Sequence, residues 1–335
     1  MSGGRRDGSG RIAERRGRKI HLTRSNLESL GLPSFWVVLV IVFGALRPGT
    51  FLTASNFSNI FGSQAVLLVL ALGLSLPLLA GDFDLSVANT LTLSGMIVAI
   101  LNVHRHWPLL AAALIAVLAS AVIGLINAII VVKLRRDSFI ITLGTGSVIA
   151  GVVFWISKSY TISGVSPSLV SWVFTRTFLS IPLEFWYGAG ACLILLYVVS
   201  LTPVGQRVLF VGQAREVARL SGIRTDRIRI GCLVLSSVVA ALAGILYLGT
   251  TAAADPSSGT TFLLPAFAAV YLGSTSIRPG RFNPLGTFVA VYFLSTGISG
   301  LELLGAQSYI QQLFYGLALV LAVSVAVIGK KREQA

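Results

Sequence analysis

Residues 107–137 read WPLLAAALIAVLASAVIGLINAIIVVKLRRD. Positions 107–132 carry no charged side chain, and three basic residues, Lys133, Arg135 and Arg136, then follow within four positions. As a helix the apolar run is about 39 Å long, more than the roughly 30 Å of a bilayer's hydrocarbon. A backbone at that depth must satisfy its own hydrogen bonds, so the run predicts a spanning helix that ends at a charged membrane face. Working outward, nine more apolar runs of that length or near it lie at 31–47, 63–80, 85–103, 139–157, 184–201, 229–249, 262–276, 284–301 and 309–328. Together they predict an all-α fold, a polytopic transmembrane helical bundle of about ten spans.

Composition agrees. The 335 residues are 55% hydrophobic and only 11% charged, against roughly 25% charged in soluble domains. The net charge of +14 would suit nucleic acid, but the basic residues sit in short clusters between apolar runs. That is the inside-positive pattern of membrane proteins, and no nucleic-acid partner is expected. With both termini inside, cytoplasmic segments hold 22 of the 26 Lys and Arg residues. The outside loops hold 4: Arg47, Arg105, Lys158 and Arg176. Adding or dropping a helix mid-chain would put basic clusters on both faces, so the count supports an N-in, C-in topology.

Residues 1–28 read as a basic cytoplasmic tail held near anionic lipid headgroups, 29–329 as the membrane domain and 330–335 as a second basic tail. A cleaved signal peptide is not expected, because the polar tail is long and no A-x-A site follows Leu46. Two connections are long: an outer one at about 158–183, rich in Ser, Thr and Pro, and a cytoplasmic one at 202–228.

No acidic or basic residue lies in the middle of a predicted span, so no proton relay of the kind used by proton-coupled carriers is expected. The chain has no G-x-x-x-x-G-K-[ST] phosphate loop, no H-E-x-x-H and no G-x-S-x-G. No enzyme activity, catalytic residue, metal site or bound cofactor is expected. Cys192 and Cys232 both fall in apolar runs and imply no disulfide framework.

Five segments carry finer information. The first is Phe51-Leu52-Thr53-Ala54-Ser55-Asn56-Phe57-Ser58-Asn59-Ile60, an interfacial turn with Ser55 or Asn56 as helix cap. The second is Gly81-Asp82-Phe83-Asp84-Leu85-Ser86-Val87, too short a polar break for a free loop. There Asp84 and Ser86 either cap the next helix or touch solute. The third is Phe139-Ile140-Ile141-Thr142-Leu143-Gly144-Thr145-Gly146-Ser147. Its glycines offer close helix packing, while Thr142, Thr145 and Ser147 offer a route lined by neutral hydroxyls. The fourth runs Thr202-Pro203-Val204-Gly205-Gln206-Arg207, Val211-Gly212-Gln213, then Glu216-Val217-Ala218-Arg219-Leu220-Ser221-Gly222-Ile223. It predicts a short helix over 213–220 stopped by Gly222, with Thr225 or Asp226 capping the next span. Ala218, Leu220 and Ile223 are apolar on a charged segment, as a partner surface requires. The fifth is Ala268-Ala269-Val270-Tyr271-Leu272-Gly273-Ser274-Thr275-Ser276-Ile277 with Gly280-Arg281-Phe282-Asn283-Pro284-Leu285-Gly286-Thr287.

In order and spacing, these segments resemble the permease subunits of bacterial ribose/xylose/galactoside-type ABC importers, over about residues 50–320. Asp82 and Ala88 stand where the family usually has glycine, and Ser274, Pro279 and Phe282-Asn283 make the fifth loop bulkier. The resemblance implies a permease subunit in the bacterial inner membrane that imports a neutral sugar on ATP hydrolysed by separate ATPase subunits. A periplasmic solute-binding protein delivers the solute, and a second permease copy or a related permease completes the pathway. It also implies that Gly205, Arg207, Gly212, Glu216, Ala218, Leu220, Ser221 and Gly222 couple the chain to the ATPase. A branched-chain amino acid or nucleoside permease, a sodium-coupled carrier acting alone and a non-transporting scaffold stay open at this point.

Overall fold

The computed structural model describes the backbone over residues 24–333 and side chains over 30–324. Of the two expected basic tails, only Arg24–Glu28 and Lys330–Glu333 fall among the described residues, where their backbone belongs to the first and last helices. The rest of both tails lies outside them.

Apart from short helical turns at Pro48–Phe51, Pro167–Val170 and Ser171–Thr175, twelve helices follow in order among the described residues: α1 Arg24–Leu46, α2 Ala54–Leu79, α3 Val87–His104, α4 Leu109–Lys133, α5 Ser138–Ser157 and α6 Leu183–Leu201. Then come α7 Pro203–Gln213, α8 Arg215–Leu220, α9 Thr225–Thr251, α10 Thr260–Gly273, α11 Pro284–Leu303 and α12 Ser308–Glu333. Seven of them, α2 to α6, α9 and α11, are long and apolar enough to cross a membrane. The other three apolar runs fall on α1, α10 and α12, whose apolar stretches among the described residues are Leu30–Leu46, Thr260–Gly273 and Ser308–Ser324. α10 has 14 residues, about 21 Å of helix, and is the shortest of these.

α2 is the centre of the fold. Every residue of Ala65–Leu79 is buried, which is why the segment is apolar all round and has no amphipathic period. On one side it meets α9, which also packs on α3 and α4. On another it meets α10 and α11, with α12 beyond α10 and α1 against α11. In contrast α4, α5 and α6 expose large apolar side chains such as Leu110, Leu118, Trp155 and Ile194. A water-soluble protein would not leave such faces bare.

The caps differ in detail from those expected. Thr53, not Ser55 or Asn56, opens α2, its Oγ1 accepting the Asn56 N–H at 3.2 Å. Asp84 accepts from the backbone of Ser86 itself, one residue ahead of α3. Thr225 and Asp226 lie inside the first turn of α9, and Asp226 instead reaches Lys133 at 3.6 Å.

The outer connection folds as two short ladders. Ile162–Ser163 pairs antiparallel with Ala253–Ala254, and Thr177–Phe178 with Ile181–Pro182. Asp255 anchors the first ladder by accepting from Ser257 and Thr161. The Ser257 side chain and backbone bonds hold its carboxyl below the usual carboxylate range.

Candidate coupling and translocation sites

The segment 202–228 folds as two helices rather than one. Thr202 caps α7 by accepting the Gly205 N–H at 3.2 Å, with Pro203 at the first helical position. Ala214 breaks the chain before α8, so the second helix starts at Arg215. Its end is where the sequence places it. The Ile223 N–H bonds to Ala218 O and the Gly222 N–H to Arg219 O, both at 3.0 Å. Gly222 has φ +79, so this is a Schellman stop that a side chain at 222 would strain.

Two glycines bring these helices against the membrane core. A Cβ on Gly205 would collide with the backbone of Val198 and Val199, and one on Gly212 with Leu79 O. α7 therefore lies directly on the C-terminal ends of α6 and α2.

Of the residues expected to couple, Arg207, Glu216, Leu220, Ser221 and Gly222 are exposed, as is Gly212, while Gly205 and Ala218 are buried. Ala218 thus packs inside the chain. Its neighbour Val217, 53% exposed, joins Leu220, 82% exposed, as the bare apolar surface of α8. Glu216 and Arg219 pair at 2.8 Å on the same helix.

The break between α2 and α3 is tied to this element. Arg215 Nη2 donates to Ala80 O at 3.4 Å and Gly81 O at 3.3 Å, and lies 3.5 Å from Asp82 Oδ1. Arg229, in the second turn of α9, grips the same Asp82 with both arms, Nε to Oδ2 and Nη2 to Oδ1, each at 2.7 Å. Asp82 is nearly fully buried. Sequence reasoning saw only a departure from glycine at 82, because the partner is 147 residues away. The available signal was an acidic residue in a membrane break alongside an arginine inside the start of a span, since each needs a partner.

Just beyond it, Asp84 Oδ1 accepts from Ser86 N at 3.1 Å and Ser86 Oγ at 2.6 Å, and Asn127 donates to Ser86 Oγ at 3.0 Å. Thr142 Oγ1 accepts the Leu85 N–H and Ser138 Oγ the Phe83 N–H, both at 3.0 Å. The structure therefore brings Asp84, Ser86 and Thr142 together as a buried staple that holds the break against α4 and α5. Thr145 and Ser147 are apart from it, half-buried and exposed respectively. The Gly144–Gly146 pair divides likewise: Gly146 packs on Leu85 and Asn89, whereas Gly144 faces open space.

A second polar feature was not anticipated. Between α2, α11 and α12 lies a cleft of about 360 Å³ whose polar lining includes Asn56, Asn59, Ser63, Gln64, Ser299, Gln311 and the carboxylate of Glu302. Its amides and hydroxyls are scattered over three helices, so no local motif marks them.

The chain is 30% identical over 288 residues to the D-allose transport system permease protein of Escherichia coli (strain K12), covering 86% of this chain and 88% of that protein. It is 32% identical over 293 residues to the Ribose import permease protein of the same strain, covering 86% and 90%. With the Ribose import permease protein of Bacillus subtilis (strain 168) the figures are 33% over 287 residues, 85% and 88%. The family described as "Branched-chain amino acid transport system / permease component" matches residues 56–323, a span that includes the break, the coupling helices and the polar cleft. The chain belongs to this family of permease components and is a multi-pass membrane transport protein, not an enzyme.

Proposed function

We propose that the chain is the membrane-spanning subunit of an ATP-driven importer for a neutral sugar of pentose or hexose size, in a bacterial inner membrane. The observation that carries this reading is α8. It presents Val217 and Leu220 to solvent while Arg215 hooks the break in the membrane core. Such a part receives force from outside the chain. Here that force comes from ATPase subunits gripping residues 205–223 through Arg207, Glu216, Leu220 and the Gly222 stop. A solute-binding protein loads the outer face, and a second permease copy completes the pathway.

The choice of sugar rests on the relatives named for ribose and allose and on linings of hydroxyls and amides, with Glu302 the one charged side chain among them. Thr145, Ser147 and the amide-lined cleft between α2, α11 and α12 would exchange hydrogen bonds with solute hydroxyls. Asp84, Ser86 and Thr142 would shape the wall behind them.

Reconstitution with the ATPase subunits and the binding protein tests this. Ribose or allose uptake should require ATP. Leu220→Asp should lower uptake at least about tenfold while changing stability by no more than about 0.5 kcal/mol, as is usual for exposed sites. Uptake by the isolated chain along a sodium gradient, or cargo limited to branched-chain amino acids, would sink the reading.

All ten apolar helices are taken to cross, with both termini inside. α10 is the strictest case. A membrane-impermeant thiol reagent should label Thr260→Cys in intact cells and Arg281→Cys only after permeabilisation. Labelling of both from one side would remove α10 from the spans.

A further inference from the structure

Where α6 and α9 part at their cytoplasmic ends, they leave a cleft of about 660 Å³ with α7 along one side. Its floor is apolar: Leu76, Val198, Val199, Ile228 and Leu235. Its mouth carries Arg207, Arg224 and Arg227, all exposed. None of the three has an ion pair among the described residues. The two acidic residues nearest in sequence are engaged elsewhere, Glu216 with Arg219 and Asp226 with Lys133.

We propose that this cleft is a binding site for an anionic phospholipid, its phosphate held by Arg207, Arg224 and Arg227 and one acyl chain laid along α9. Three observations fit a lipid better than a free anion or a protein. The volume lies within the usual range for small-molecule sites. From Arg224 to Leu235 the helix rises about 16 Å, close to half of a roughly 30 Å hydrocarbon core. The groove is thus one leaflet deep, with its charge at headgroup level. Leu235 is itself bare, as are Leu201, Tyr197 and Ile194 of α6, so both helices that border the cleft also carry apolar surface suited to acyl chains. Arginine suits a phosphodiester because its planar fork bonds two oxygens at once, and the inner leaflet supplies anionic headgroups. The site goes beyond the importer reading and rests on it for the cytoplasmic placement of residues 202–228; Arg207 is common to both, so lipid and ATPase would meet at that side chain, while Arg224 and Arg227 belong to the lipid site alone.

Native mass spectrometry of the full chain, released from bilayer discs with equal phosphatidylglycerol and phosphatidylcholine, tests the site without any ATPase. The wild type should retain phosphatidylglycerol in preference to phosphatidylcholine, and inorganic phosphate should not displace it. Removing three surface charges in Arg207→Gln/Arg224→Gln/Arg227→Gln should cut retention by roughly tenfold or more. Gly231→Leu, which fills the groove, leaves the arginines in place and has open space around its Cβ, should cut it as well. This second variant decides the matter if the triple variant does not fold. The proposal is overturned if Gly231→Leu retains lipid like the wild type. It is equally overturned if the triple variant keeps its lipid but no longer co-purifies with the ATPase, because the cleft is then a protein seat.

Discussion

Arg229→Met is expected to destabilise the permease by about 3–5 kcal/mol, the usual cost of leaving one member of a buried ion pair without its partner. Asp82 is nearly fully buried and takes two 2.7 Å bonds from Arg229. Its remaining cation, Arg215, is 3.5 Å away on a side chain that is 39% exposed, so it cannot replace the lost bonds. Equilibrium unfolding in mixed micelles would measure the loss. The double variant Asp82→Leu/Arg229→Met should recover most of it, because two apolar side chains remove both desolvation costs together. Arg215→Ala should cost less than about 1 kcal/mol, since a partly exposed pair is screened by water, yet it should weaken coupling by unhooking α8 from the break. If Arg229→Met matched the wild type in stability, Asp82 would have to be paired by something other than this arginine.

Gly212→Val should abolish coupling with a smaller loss of stability, about 1–3 kcal/mol, as expected of overpacking. Its new Cβ would fall on the Leu79 carbonyl oxygen, a backbone atom that no rotamer change can move aside. α7 must then lift from the cytoplasmic end of α2, carrying α8 and Arg215 away from Ala80 and Gly81. ATP-driven uptake in the reconstituted complex should fall at least about tenfold, which requires only about 1.4 kcal/mol at the coupled step. Gly231→Ala is the control, with nothing within 4 Å of its Cβ. Normal uptake by Gly212→Val would show that contact between α7 and α2 transmits nothing.

The candidate site was legible in part, for identifiable reasons. The stop at Gly222 could be read because a Schellman cap is local: a glycine, an apolar residue after it and a helix before it lie within a few positions. That Leu220 is an apolar residue on a charged segment could be read from composition, and the structure leaves it exposed. Ala218 reads the same way by composition but is buried, since only the helix's orientation on its neighbours separates it from Val217. Asp84, Ser86 and Thr142 were recognisable as polar residues at a break. That Asp84 bonds Ser86 while Thr142 takes the Leu85 N–H between them, and that Ser147 five residues on is exposed, depends on how α5 is rotated against α3 and α4.

By itself the sequence determined that this is a helical membrane protein, where its apolar helices lie and where its charged connecting segment falls. Those properties follow from burying apolar side chains and satisfying backbone groups within a single helix, and neither requires knowing a distant neighbour. Only the tertiary structure decided that Arg229 closes on Asp82, that Arg215 ties α8 to the break, and that three arginines with no ion pair among the described residues frame an apolar groove. Each of these joins elements far apart in the chain, and spacing along a sequence carries no trace of which helix ends will meet.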